Sequence, residues 1–226
     1  MEHERLNQYS LNKLPPRVIV WGGTGQAKAV RPIIEHYGAR VIAVFDDTPD
    51  LPSPFADVEI YRGKTAFPDW IAQQVSRDDL GFCIAIGNPH GRVRLMFHEM
   101  LSREGLTPIT IAHPAAVIAN DAQVGEGSQI LAGAIIASEA RVGRQCIINC
   151  NSLVEHETIL DDAVEIAPAA TVLGLTRVGV NTMVGAGATV LSRLKIGNDV
   201  KIGAGAVVAG DVADGEVVAG ATGRSL

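Results

Sequence analysis

From residue 118 onward the hydrophobic pattern repeats every six residues. Stepping by six gives Ile118, Val124, Ile130, Ile136, Val142, Ile148, Val154, Leu160, Ile166, Val172, Val178, Val184, Val190, Ile196, Ile202 and Val208, aliphatic at every step. Four residues after each comes a second series, mostly small or β-branched, from Ala122, Ser128, Ala134 and Ala140 to Ala206 and Val212. Glycine often follows the aliphatic, as at Gly125, Gly143, Gly179, Gly185, Gly197 and Gly203. A period of six fits neither the helical repeat nor the alternation of a strand; it fits the hexapeptide β-helix. Each hexapeptide supplies one short strand and one corner. The aliphatic and the small residue point inward, and glycine is expected to take the strained corner, where it has no Cβ to clash. Three hexapeptides close a triangular coil of 18 residues, so residues 118–212 predict about five stacked coils in unbroken phase.

The region before the repeat reads differently. Val18–Trp21 is a buried-type strand, followed by the turn Gly22, Gly23, Thr24, Gly25 and a helical stretch from Gln26 to Tyr37 that Gly38 stops. Val41–Phe45 is a second strand ending in Asp46 and Asp47. Further on, Phe67–Ser76 predicts a helix, Phe82–Ile86 a strand, Gly87-Asn88-Pro89 a turn, Arg92–Arg103 an amphipathic helix, and Leu106–Ile111 a lead into the repeat. The result is a small Rossmann-like βαβ domain with a parallel sheet of about four strands. A glycine turn at a helix start lets a phosphate approach backbone N–H groups, and an acid about 20 residues on suits ribose hydroxyls. The dinucleotide fingerprint is incomplete, because Lys28 stands where its third glycine would be. Nucleotide binding and a plain docking role both remain open at this point. The expected division is a leader 1–16, an α/β domain 17–111 and a β-helix domain 112–226.

Composition narrows the class. Apolar residues make up 47% and aromatics only 4%, which predicts a core of Val, Ile, Leu and Ala. A net charge of −6 argues against general affinity for nucleic acid or an anionic membrane. Three cysteines form no disulfide framework, no apolar run approaches a membrane span, and the first 16 residues lack an apolar signal region. These features together lead to the expectation of a cytoplasmic protein.

Within the repeat the only histidine is His156, two places after the inward Val154 and therefore on a corner, pointing outward. An imidazole there suits a general base for an amine or hydroxyl at neutral pH; Glu157 or Glu155 could fix its tautomer. Eighteen residues on lies Gly174, the same corner one coil along, whose N–H could reach a reacting carbonyl. One corner cannot enclose two substrates, so a neighbouring subunit is expected to supply the other wall.

These residues resemble the hexapeptide-repeat sugar acetyltransferases (NeuD/PglD-like), which join a nucleotide-sugar-binding domain to a left-handed parallel β-helix. That family includes N-acetyltransferases of UDP-, GDP- or dTDP-linked 4-amino-4,6-dideoxy sugars and the sialic acid O-acetyltransferases. The likeness runs from about Arg17 to Gly220, and rests on Gly22–Gly25, Asp46-Asp47, His113-Pro114, Asn149, His156-Glu157, Ile166-Ala167-Pro168 and Gly174. It implies an acyltransferase using acetyl-CoA and no metal, assembled as a homotrimer with sites between subunits. By the resemblance His156 is the base, Glu157 its orienting acid and Gly174 the donor to the acetyl oxygen. Asn149 lies near the sugar. Asp46, Asp47 and Lys64 hold the nucleoside, and Gly22, Gly23, Thr24 and Gly25 stand near the phosphates. Glu165, Gly185, Ala186, Gly203 and Ala204 belong to the coenzyme side, with Lys195, Lys201 and Arg224 as candidates for its phosphates.

Three positions depart from the pattern. Many members have histidine where this chain has Gln26, and another where it has Glu165; the latter leaves donor contacts and acyl specificity open. The end, Gly220-Ala221-Thr222-Gly223-Arg224, lacks the usual Val-Pro-Ala. The expected reaction is direct acetyl transfer to the amine of a nucleotide-linked amino sugar. The alternatives are O-acetylation of sialic acid or a related sugar and a non-catalytic β-helix scaffold. A zinc β-helix hydratase would need about three histidines, and residues 118–226 hold one.

Overall fold

A computed structural model gives the fold and describes Leu11 and residues 13–87 and 89–220, so Asn88 of the expected turn and Arg224 lie outside the described residues. The front domain runs β1 (Arg17–Trp21), α1 (Gly25–His36), β2 (Arg40–Asp46), β3 (Ile60–Arg62), α2 (Gly63–Ala72), β4 (Leu80–Ile84), α3 (Gly91–Arg103) and β5 (Thr107–Pro108). Its sheet is parallel throughout, in the order β3-β2-β1-β4-β5. It has five strands, not the expected four or so; the three-residue β3 is too short to show alternation. The order reverses between β1 and β4, which opens a crevice at the carboxyl ends of these strands, where open α/β sheets bind ligands.

Helix α2 starts four residues earlier than the pattern suggested. The Asp47 carboxylate accepts the Lys64 N–H at 3.1 Å, capping that end. A Cβ on Gly63 would stand 2.5 Å from Asp47 Oδ1 and would displace the carboxylate from this position. The front core is also less aliphatic than composition implied. All ten aromatics precede residue 98, and Trp21 packs on Phe45 (5.2 Å, stacked), Phe67 (5.4 Å) and Phe97 (4.4 Å). The core without aromatics belongs to the β-helix alone.

The rest of the chain is a left-handed β-helix with three faces. The first runs from Val117–Ile118 to Val207–Val208, the second from Gln123–Val124 to Lys195–Ile196, and the third from Ile111–Ala112 to Val217–Val218. Successive strands pair in parallel 18 residues apart, as Ile136 with Val154 and Val154 with Val172. Every stepped aliphatic after Ile118 is buried, and so are the small residues from Ala122 to Thr182 that alternate with them.

Two expectations need correction. The glycines that follow the aliphatics do not occupy the strained corner. The left-handed conformation falls two residues later, mostly on other residues, such as Glu139 (φ 59°), Asn151 (56°), Glu157 (57°) and Leu175 (63°). What Gly125 and Gly143 provide is close stacking: a Cβ there would lie 2.5 Å and 2.6 Å from backbone carbons of the next coil. Nor does the phase run unbroken to the end. Ile196 bridges Val212 and Lys201 pairs with Val217, so the last coil is two residues short. The six-residue step would put Asp214 inside, and its carboxylate instead accepts the Asn198 N–H at 2.8 Å.

The front domain sits on the third face and on the corner leading into it. There α3 lies along the corner column Gln145, Ala163, Asn181 and Asp199. Fully buried Arg94 donates to the carbonyl oxygens of Ile86 (3.1 Å), Gln145 (2.9 Å) and Ala163 (2.9 Å). Arg92 gives its N–H to Asn181 Oδ1 (3.1 Å) and pairs with Asp199. Among the described residues no helix is long and apolar enough to cross a membrane.

Candidate active site

The crevice at the β1/β4 switch holds a cavity of about 850 Å³ lined by Trp21, Gly22, Thr24, Gly25, Gln26, Asp46, Asp47, Thr48, Ala85, Ile86, Gly87, His90, Val93 and Phe97. That volume is in the range of small-ligand pockets. Gly22 has φ 108° and backs onto the Ala85 carbonyl, leaving no room for a side chain. Gly25, by contrast, faces open space, so the first turn of α1 is accessible to a ligand. No side chain caps that helix and no acid stands in its first turn, which leaves N–H groups and the positive end of the dipole toward the cavity.

The two acids divide their work. Asp46 accepts the Gly23 N–H (2.7 Å) on one oxygen and the Thr48 N–H (2.8 Å) on the other. Burial pushes its pKa up, but the Thr48 and Gly23 hydrogen bonds and the Arg62 charge outweigh burial and hold the carboxyl below the usual range. Asp46 therefore shapes the glycine turn, and Asp47 is the acid with an oxygen to spare for a ligand. Lys64 does not line the cavity; its Nζ stands 5.5 Å from the centre of the Phe97 ring that does.

The second constellation is on the β-helix. His156 Nδ1 lies 3.1 Å from Glu157 Oε2, which suits an Nδ1–H donating to the carboxylate and leaves Nε2 as a base. Glu155 Oε2 stands on the other side of the ring, 3.7 Å from Nε2. Glu157 reaches this position through its left-handed backbone. Gly174 lies directly beneath the ring: a Cβ there would be 2.6 Å from Cε1 and 2.7 Å from Nε2 of His156. The Gly174 carbonyl accepts the Arg193 N–H, while its own N–H has no partner among the described residues.

One protomer does not bring the two constellations together. All residues lining the cavity precede residue 98. His156 and Gly174 occupy the corner between the first and second faces, whereas the front domain rests on the third face. Asn149 occupies the corner between the third and first faces, in line with Gly185 and Gly203; its Oδ1 accepts the Cys150 N–H at 2.8 Å. Glycine is required at 185 and 203 by coil stacking, because a Cβ would meet Ile202 O at 2.5 Å and Gly220 N at 2.6 Å. Ala186 and Ala204 are exposed along the same edge. Glu165 is buried on the third face, where its charge reaches Arg94 and not His156. Lys195 and Lys201 stand on different faces and do not converge. The residues that sequence reasoning missed are His90, Ile86 and Phe97 in the cavity wall and Arg94 and Gln129 at the domain junction. Single polar contacts of this kind carry no periodic signal.

A doubly wound front domain with an open crevice, followed by a β-helix with a histidine over a glycine on one corner, defines a hexapeptide-type transferase. Residues 17–98 match the PglD N-terminal domain and residues 176–210 the bacterial transferase hexapeptide (six repeats). GDP-perosamine N-acetyltransferase of Escherichia coli O157:H7 is 32% identical over 105 residues, 46% of this chain and 47% of that protein, so the match spans about half of that relative. Among solved structures, a histidine-to-alanine variant of GDP-perosamine N-acetyltransferase from Caulobacter crescentus, in complex with CoA and GDP-perosamine, is 30% identical. It covers 88% of this chain and 91% of its own, with a TM-score of 0.80. The acetyltransferase domain of PglB from Neisseria gonorrhoeae, in complex with acetyl coenzyme A, is 28% identical over 91% of this chain and 96% of its own, also with a TM-score of 0.80. The chain belongs to the hexapeptide-repeat sugar acetyltransferases.

Proposed function

We propose that the protein transfers the acetyl group of acetyl-CoA to the amine of a nucleotide-linked 4-amino-4,6-dideoxyhexose. The observation that carries this reading is the stacking of His156 on Gly174, with Nδ1 directed at Glu157 and the Gly174 N–H free. The amine nitrogen attacks the thioester carbonyl while His156 Nε2 takes its proton. The Gly174 N–H stabilises the oxyanion, and collapse of the intermediate expels the coenzyme A thiolate. Burial pushes the Cys83 and Cys146 thiols up to about 12, which removes these two as nucleophiles for a covalent enzyme intermediate. The switch-point cavity, with its α1 amides and Asp47, suits a nucleotide-linked acceptor, and solved relatives carry CoA and GDP-perosamine.

The placement of the half-sites supports a homotrimer. Asn149, Ala186 and Ala204 line one edge of the first face, and His156 and Gly174 line the other. A threefold assembly sets one protomer's first edge against its neighbour's second and so completes a cleft between subunits. The test is thiol release from acetyl-CoA with UDP-, GDP- and dTDP-linked 4-amino sugars beside free sialic acid. Turnover with one nucleotide-linked amine, lost in His156→Ala, is the expected result. Turnover with sialic acid alone would replace this reading with O-acetylation, and no turnover with any acceptor would leave a scaffold.

A further inference from the structure

Resting on that acceptor reading, we infer that Gln26 is a specificity-determining residue that accepts a hydrogen bond from a hydroxyl or amine of the hexose. Gln129 of the β-helix is the positioning residue that turns the Gln26 amide to do so. The orientation follows from Ile84. A backbone carbonyl oxygen can only accept, so the end of the Gln129 amide lying 2.8 Å from Ile84 O is its NH₂ group. Gln129 is fully buried and cannot turn to water instead. Its Oε1 is therefore the atom that faces Gln26, and Gln26 Nε2 donates to it at 2.7 Å. That leaves Gln26 Oε1 with no donor among the described residues, on a side chain that lines the cavity.

The chemistry this atom selects is specific. Phosphate oxygens are acceptors and gain nothing from another acceptor, whereas ring hydroxyls and the amine bring donors. The first-turn amides of α1 are themselves donors and suit the phosphates. The cavity is thus polarised, with the nucleotide and phosphates toward Asp47 and the α1 amides, and the sugar toward Gln26 and the β-helix. The amide is neutral, so this contact does not titrate with pH.

The experiment is calorimetric titration, without acyl donor, of the nucleotide-linked amino sugar and of the matching nucleoside diphosphate, with KM for acceptor and for acetyl-CoA measured in parallel. In Gln26→Leu the sugar nucleotide should bind about three- to tenfold more weakly, as one neutral hydrogen bond is lost; diphosphate affinity and the KM for acetyl-CoA should hold. Gln129→Met should produce the same selective loss, and should add nothing in the Gln26→Leu background. Gln26→Leu that binds the sugar nucleotide like wild type, or loses the diphosphate equally, overturns the inference. So does a Gln129→Met effect that persists undiminished without Gln26. Gln26→Leu, at a half-buried helix position, carries the test alone should Gln129→Met fail to fold. A wild type that binds sugar nucleotide while the variants match it refutes this inference and leaves the function standing. A wild type that binds no sugar nucleotide removes both.

Discussion

Replacing Gly174 by alanine adds one methyl group under the His156 ring, and its consequence can be worked from distances. The new Cβ would lie 2.6 Å from Cε1, 2.7 Å from Nε2 and 3.1 Å from Cδ2. Carbon atoms settle at about 3.5–4.0 Å, so the ring must withdraw by about 1 Å or rotate away. His156 is half exposed, with 49% of its side chain accessible, so the movement meets little resistance. The expected cost in stability is therefore under about 1 kcal/mol, the range of surface changes. In the proposed mechanism the cost to catalysis is far larger, because the ring would leave the position from which Nε2 and the Gly174 N–H address the same carbonyl. Misplacement by about 1 Å can cost on the order of 100-fold in rate, and His156→Ala should lose about 100- to 10,000-fold. Steady-state thiol release gives kcat, and thermal melting of the same samples gives stability. If Gly174→Ala keeps kcat within about twofold of wild type while melting unchanged, the base-over-donor arrangement is wrong.

Three further outcomes test other parts of the molecule. Arg94→Leu leaves the carbonyls of Ile86, Gln145 and Ala163 without their buried donor, and should destabilise by about 3 kcal/mol or more, read as a fall in thermal midpoint; an unchanged midpoint would deny that Arg94 joins the domains. Asp199 is held down to about 2, first by hydrogen bonds from Arg92 and then by the Asn181 amide. A depressed acid adds stability that is full above its unfolded value, near 3.9, and lost as pH falls through the folded one. Wild type should therefore lose under about 1 kcal/mol between about pH 4 and about pH 2, small because the pair is exposed, and Asp199→Asn should lack that slope in acid-unfolding curves. Cys83 and Cys146, raised to about 12 by burial, should resist thiol reagents at neutral pH until the chain is unfolded, whereas half-buried Cys150 should react first in the native protein.

The β-helix was legible because its interior admits only two kinds of position per hexapeptide, and the sequence repeats both for more than ninety residues. The same arithmetic placed Gly174 under His156, since residues 18 apart share a corner. Asn149, Gly185 and Gly203 share another corner for the same reason. Periodicity misled where a corner has two demands. It assigned the strained conformation to the glycines, while coil stacking is what excludes a Cβ at Gly125 and the left-handed turn is carried by residues such as Glu157. The cavity followed from the glycine turn and Asp46-Asp47, but their division of labour did not: Gly23 and Thr48 occupy Asp46 through contacts that no spacing announces. The docking of the front domain depends on Arg92, Arg94 and Gln129, each a single side chain on a different element, so no local pattern could fix which corner it would cover.

That docking has a consequence for how a β-helix mounts chemistry. Inward positions admit only aliphatic or small residues, and the hydroxyls among them, such as those of Ser128 and Thr182, are taken up by backbone carbonyls, so a side chain the size of histidine stands on a corner or an outward strand position. With most of the third face covered by the front domain, the outward apolar residues stand chiefly on the first face, where Val117 is 61% and Val207 69% exposed, with Ile135 at 40%, and on the last strand of the third face, where Val217 is exposed. Parallel sheets are ordinarily covered on both sides. One edge of this face carries Asn149, Ala186 and Ala204, and the other carries the His156 corner. A second copy of the chain laid against the first face would cover its apolar side chains and close the two edges into one cleft, joining the stability of the assembly to the completeness of the site. In the proposed trimer the exposed face and the divided site are therefore one feature: the surface that needs a neighbour is bounded by the residues that need one.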